Sequence, residues 1–296
     1  MLRPALTFAL LSWLLGCELE HLSRGTGGEG GQGQATVGTT GAAGQTSAGG
    51  MTGTGGAGAA GGVGGMGGMG GTSPCAGGMS SYRDVVLCDA PIGYWRLGDN
   101  GNVAVDEIQT HNGQYNGGIV QQVPGGIAGD PDQAAEFPGN NALITFGDVF
   151  DLTGEISLEA WIKPDLVDST YRYVISKVQQ NNQEGFGLYI HQTMGITFVV
   201  IGANVFVSSS ATQYTLGEWH HVVGTWNGST ARLYLDGVAQ TPLLVPVTLI
   251  DNAEPFRIGA FDSTGGAGFD GVIDEVAIYD HALEEPRIIA HHQAGL

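Results

Sequence analysis

The chain has 296 residues, room for one large domain or two small ones. Ten Lys and Arg stand against 29 Asp and Glu, a formal net charge of −19. A surface that negative repels phosphate backbones, which argues against nucleic acid as a partner, and it makes anionic lipid or acidic polysaccharide a poor ligand without a bridging metal.

The first segment reads Met1-Leu2-Arg3-Pro4, then an apolar run over 5–15, then Gly16-Cys17. One positive residue before an apolar stretch of this length predicts a signal peptide over 1–16, too short for a membrane-spanning helix. Leu14-Leu15-Gly16-Cys17 resembles the bacterial lipobox, in which the Cys thiol is lipidated and becomes the new N-terminus. The resemblance makes Cys17 the only attachment to a membrane, with the rest of the chain outside the bilayer. Glu18 follows; by Gram-negative sorting rules, the absence of Asp there directs the protein to the outer membrane. The expected localisation is therefore secreted and lipid-anchored to the cell envelope. Three Cys is an odd count for a secreted chain. Lipidation of Cys17 leaves Cys75 and Cys88 as a pair in an oxidising compartment. Their disulfide would close a loop of about 14 residues and stabilise by roughly 3 kcal/mol; two free thiols are the alternative. The C-x12-C spacing has no metal-ligand character.

Residues 17–74 form the next unit. From Gly25 to Gly78 the sequence is almost wholly Gly, Ala, Thr, Ser, Gln and Met, with Glu29 the only charge. Such a tract cannot bury enough apolar surface to offset the entropy of ordering, and it lacks the strict period of collagen. It reads as a disordered Gly-rich tether with a reach of about 40 Å.

Composition changes after Pro74, and 75–296 is read as one folded domain. Residues 82–89 allow one or two helical turns. Short runs rich in Val, Ile, Tyr, Trp and Phe follow, separated by Gly, Asn, Asp and Pro. Strands are predicted over 94–97, 142–146, 156–163, 173–178, 185–191, 196–201, 205–208, 220–226, 231–235, 256–260 and 271–279. Period-2 alternation places Ile156, Leu158, Ala160 and Ile162 inward, with Ser157, Glu159 and Trp161 outward. Likewise Phe186, Leu188 and Ile190 point in while Tyr189 and His191 point out. Asn227-Gly228 and Asp236-Gly237 are hairpin signals. About ten such strands make an all-β, two-sheet antiparallel sandwich. A short helix over 283–292 closes the chain, with Glu284 and Glu285 in its first turn.

Several of these runs carry a family likeness. Val86-Leu87-Cys88-Asp89-Ala90-Pro91-Ile92-Gly93-Tyr94-Trp95-Arg96-Leu97-Gly98 resembles the opening of bacterial laminin-G-like, concanavalin A-like modules, as does Leu158-Glu159-Ala160-Trp161-Ile162-Lys163-Pro164. Trp219-His220-His221-Val222-Val223-Gly224-Thr225-Trp226 and Leu233-Tyr234-Leu235-Asp236-Gly237 match the middle. Phe269-Asp270-Gly271-Val272-Ile273-Asp274-Glu275-Val276-Ala277-Ile278-Tyr279 matches the end. Cys88 departs from the family, which often has Ala there. The resemblance implies a jelly roll over about 82–292 but leaves function open, since the architecture hosts lectins, adhesion modules and glycoside hydrolases.

Site residues follow from both readings. Asp274 shares parity with Val272, Val276 and Ile278, which puts a carboxylate in an apolar row, where it needs partners. Related modules hold a structural Ca²⁺ with an Asp of this last strand, so Ca²⁺ is expected at Asp274 with Asp99 and Asp106 as partners; a hydrogen-bonded structural Asp274 is the alternative. The pairs His220-His221 and His291-His292 lack chelating spacing. Family hydrolases resemble Glu-x-Asp-x-x-Glu, and Glu155-Ile156-Ser157-Leu158-Glu159 lacks the central Asp, so no enzyme is expected, with a glycoside hydrolase on Glu159 the remote alternative. Outward Trp161, Tyr189 and His191 beside Glu159 are predicted to line one sheet face as a carbohydrate site; Trp161 under a covering loop is the competing reading. The loop 262–269 is a second candidate site. The expected ligand is extracellular carbohydrate, or a protein in an adhesion or assembly role.

Overall fold

The structure is a computed structural model that describes residues 81–179, 184–202, 205–244 and 246–296, and for 205–207 the backbone only. Residues 1–80, with the expected signal segment, Cys17, tether and Cys75, lie outside the described residues; of the expected Cys75–Cys88 pair only Cys88 is described, buried at the end of the first helix.

That helix, α1 (Tyr82–Cys88), starts where the Ser81 hydroxyl accepts the Asp84 N–H, satisfying a first-turn donor. Six short strands follow: β1 (Gly93–Trp95), β2 (Val103–Ala104), β3 (Gly113–Asn116), β4 (Val120–Pro124), β5 (Gln133–Pro138) and β6 (Leu143–Thr145). The longer strands are β7 (Ile156–Pro164), β8 (Arg172–Val178), β9 (Gly185–His191), β10 (Gly195–Gly202), β11 (Val205–Ala211), β12 (His220–Trp226) and β13 (Thr230–Leu235). Three short pieces, β14 (Val238–Ala239), β15 (Leu243–Leu244) and β16 (Arg257–Ile258), precede β17 (Asp270–Tyr279) and the closing helix α2 (Glu285–Ala294).

They form two antiparallel sheets. The nine-stranded sheet runs β14-β13-β12-β7-β17-β5-β4, with β1 on β17 and β15 on β13; the eight-stranded sheet runs β11-β10-β9-β8-β16-β6-β3-β2. The core between them takes Ile156, Leu158, Ala160 and Ile162 from one sheet and Leu188, Ile190, Phe198 and Val200 from the other. Each Leu, Ile or Phe so buried contributes about 1.5–3 kcal/mol. The sheets approach closely at Gly224 of β12, where a Cβ would lie 2.2 Å from the Phe198 ring of β10. Both predicted hairpins form. Asp236 and Gly237 turn β13 into β14 with φ of 52° and 74°, the left-handed pair of a tight hairpin.

One parity reading is corrected. β17 carries a bulge between Asp274 and Ala277, and Glu275 within it has φ 51°. The extra residue flips the alternation. Ile273, Val276 and Ile278 therefore enter the core, while Asp274 pairs with Trp161, in the row facing away from it.

Candidate functional site

The two outer faces of the sandwich are unlike. On the nine-stranded sheet, Trp161, Val223, Ala277 and Tyr279 form a second cluster with Tyr82 and Val86 of α1 and Ile288 of α2. The terminal helices thus cover this face. Trp161 is 3 % exposed, wedged against Gly295 and stacked at 6.0 Å on His292.

Glu159, two residues back in the same row, is 0 % exposed. Its Oε1 accepts the Tyr82 hydroxyl and His221 Nε2 at 2.8 Å and lies 3.0 Å from His291 Nδ1; its Oε2 accepts the Tyr279 hydroxyl at 2.6 Å. His291 Nε2 reaches Asp89 at 2.7 Å, and Arg287 grips the same carboxylate. Burial alone would raise the Glu159 carboxyl, but the His291 charge and the two histidine hydrogen bonds hold it well below the usual range. Burial likewise opposes the His291 imidazolium, and Glu159 and Asp89 overcome it, lifting its pKa to about 9. Glu159 is therefore neither a ligand contact nor an accessible hydrolytic acid; it fastens both helices to the sheet.

Tyr189 and His191 lie elsewhere. They sit on β9 in the eight-stranded sheet, so the predicted patch of Trp161, Glu159, Tyr189 and His191 does not exist as one surface. Alternation reports which side of a strand faces the core, but not to which sheet the strand belongs.

On that second outer face the rings form a continuous run. Tyr171 stacks on His191 at 4.5 Å and meets Tyr189 edge-on at 5.3 Å. Tyr189 contacts Tyr173 at 5.2 Å, and Tyr173 contacts Phe261 at 5.0 Å. Register explains the line: Tyr173 and Tyr189 are directly paired across β8 and β9, and a bulge after Tyr173 carries β8 past β9. Gly187 leaves room for the Tyr173 ring, which would sit 3.0 Å from a Cβ there. Met194, Val199 and Ala267 complete the cluster, which includes no residue of either helix. Tyr171 is 40 % exposed. The loop 262–269, the second predicted candidate, joins this surface: Asp262 caps it by accepting the Thr264 and Gly266 N–H groups, and Ala267 packs on the rings. Tyr171, Tyr173 and Phe261 escape a reading by alternation, because the first precedes its strand, the second adjoins a bulge and the third lies in a loop.

The predicted calcium ligands do not converge. Both oxygens of Asp106 are occupied, accepting the N–H groups of Tyr94, Ile108, Thr110 and His111 and the Thr110 hydroxyl. Asp99 accepts the Val105 N–H and the Tyr115 hydroxyl. Among the described residues no group of three or more His, Cys, Asp or Glu is placed to hold a metal. The set Asp274, Asp99 and Asp106 therefore does not fit the ion. Asp274 itself is 2 % exposed; its Oδ2 accepts the Gly126 N–H at 2.8 Å, and its Oδ1 has no hydrogen-bond partner. Asp132 Oδ2, beside it, is also buried without a hydrogen bond, though Arg96 lies 3.2 Å away in an ion pair. Burial and the Glu275 charge push the Asp274 carboxyl well above its usual range. Glu275, bonded to Arg96 and the Tyr94 hydroxyl, is pushed up to about 7 by burial.

Comparison with known proteins agrees with this architecture. A laminin-G-type family model, described as the concanavalin A-like lectin/glucanases superfamily, matches residues 138–289, half of the chain. Among solved structures, domain 4 of AbnA, a GH43 extracellular arabinanase from Geobacillus stearothermophilus, in complex with arabinotriose, is similar at 17% identity and TM-score 0.56, over 69% of this chain and 98% of that one. The binding domain of botulinum neurotoxin DC in complex with SialylT is similar at 14% identity and TM-score 0.54, over 70% of this chain and 52% of that one. The same toxin domain in complex with rat synaptotagmin II gives 14% identity and TM-score 0.53, over the same shares. The chain spans about half the length of these toxin domains, and at such identities the likeness establishes the fold. With the sheet order above and the family match over half its length, the chain belongs to the concanavalin A-like lectin/glucanases superfamily, among its laminin-G-like members.

Proposed function

We propose that the domain is a non-catalytic module that binds extracellular carbohydrate on the outer face of the eight-stranded sheet. The observation that carries this reading is the ring run Tyr171–His191–Tyr189–Tyr173–Phe261, a cluster separate from the core between the sheets and free of helix residues, in which Tyr171 is the exposed ring and His191, Tyr189 and Tyr173 are buried beneath it. Aromatic planes stack on the apolar faces of sugar rings, and hydroxyls around them fix orientation. Ser210, half-buried on β11 and hydrogen-bonded to the buried Thr197 hydroxyl at 3.0 Å, supplies such a hydroxyl. The arabinotriose bound to the similar arabinanase domain supports the ligand class. A lipid at Cys17 would hold the module at the cell envelope.

The test is titration of the protein with arabinotriose and a panel of neutral oligosaccharides. Tyr171→Ala is expected to weaken the best ligand at least tenfold with the melting temperature unchanged. Unaltered affinity in that variant would move the site elsewhere. Silence across the panel, with capture of a defined protein that depends on Tyr171, would replace the reading by a protein-adhesion role.

A further inference from the structure

Two arginines border the ring run, and each is already committed to carboxylate. Arg172, between Tyr171 and Tyr173, donates to both oxygens of Asp168 at 3.1 and 2.6 Å and to the Gly268 carbonyl at 2.9 Å. Arg257 donates to Glu254 at 2.8 Å, to the Ser263 hydroxyl and to the carbonyl of Phe261. With Asp262 in the adjoining loop, three carboxylates, Asp168, Glu254 and Asp262, meet two cations around this face. The Asp168 end lies beside the exposed ring, because His191 is hydrogen-bonded to the Ser169 carbonyl and stacked under Tyr171.

An acidic sugar recognised at such a site needs a guanidinium or ammonium to pair with its carboxylate, and bidentate Arg is the usual solution. To supply one here, Arg172 would have to leave Asp168, exposing one carboxylate in order to bind another. We infer that this face selects neutral oligosaccharides and rejects those carrying a carboxylate, and that the Asp168–Arg172 pair sets the discrimination. This rests on the carbohydrate reading above and adds the substrate class. It also separates the chain from the similar toxin domain in complex with SialylT, whose ligand class the present face does not suit.

The experiment compares matched pairs on the full chain: galactotriose with trigalacturonate, and lactose with sialyllactose, by calorimetry at low and high salt. The neutral member of each pair that binds is expected to be at least tenfold tighter at low salt, with the gap narrowing as salt screens the face. Asp168→Asn, which releases Arg172, is expected to shrink the gap below threefold and leave the neutral affinity unchanged. Asp280→Asn removes the same charge from the loop before α2 and is expected to leave the gap intact. An acidic member that binds as tightly as its neutral partner overturns the inference. So does a gap that Asp168→Asn leaves unchanged or that Asp280→Asn shrinks equally. Silence of both pairs and of arabinotriose sinks the carbohydrate reading itself, a distinguishable failure.

Discussion

Asp274 is buried in the row of Trp161 with one oxygen unpartnered, while Glu275 and Asp132 add like charge beside it. A carboxylate in that setting costs several kcal/mol unless a cation compensates it. Arg96 is committed to Glu275, Asp130 and Asp132. A calcium ion bound at Asp274 through oxygens other than those of Asp99 and Asp106 would relieve the excess charge. Millimolar calcium is expected to raise the melting temperature by several degrees and EDTA to reverse it. Asp274→Asn should abolish the calcium response. Identical melting in calcium and in EDTA would exclude a structural ion here. The residue was recognisable in the sequence as a carboxylate needing partners, but its direction was not: alternation assumes an unbroken strand, and Glu275 is not the glycine that would mark a bulge.

The terminal helices are joined to the sandwich through one buried carboxylate. Tyr82 of α1, His291 of α2, His221 of β12 and Tyr279 of β17 all converge on Glu159. Glu159→Gln would leave His291 without one of its two counterions, and breaking a buried pair costs about 3–5 kcal/mol. The pH dependence has a defined sign. The Glu159 carboxyl is depressed in the fold, so its contribution is present above its ordinary 4.5 and lost as pH falls below. His291 is raised from 6.5 to about 9, so its contribution is full below 6.5 and lost as pH rises through 9. Glu275, raised from 4.5 to about 7, loses its share between those values, and Asp274 and His220, both raised, also lose stability as pH rises, so His291 is isolated by the difference between the parent and Glu159→Gln. Melting followed from pH 5 to 10 should fall between 7 and 9 in the parent and stay flatter there in Glu159→Gln; parallel profiles would refute the assignment. At this scale the long strands were legible. Residues 185–191 and 220–226 alternate cleanly between glycine-bounded turns, and the predicted bounds match β9 and β12. The pieces β2 to β5 were not, because runs such as Gly113–Asn116 and Val120–Pro124 are short and largely polar, and their pairing rather than their pattern makes them strands. The closing helix was legible from its acidic first turn, displaced by two residues.

Across the whole molecule, the two faces divide the work. The nine-stranded sheet gives its outer face to α1 and α2. The eight-stranded sheet keeps its ring run clear of both helices. The proposed lipid site, Cys17, is remote in sequence from every residue of that run. Attachment and binding are then separable, which gives the anchoring proposal a clean test. Cells expressing the parent chain and fed labelled palmitate should incorporate the label and keep the protein in the membrane fraction. Cys17→Ser is expected to lose both while the purified variant binds oligosaccharide with unchanged affinity. A single acyl chain binds a bilayer only marginally, so stable retention requires the diacylated cysteine. Parent protein that carries no label, or Cys17→Ser that stays with the membrane, would replace the lipid anchor with another mode of attachment while leaving the ring face as the binding surface.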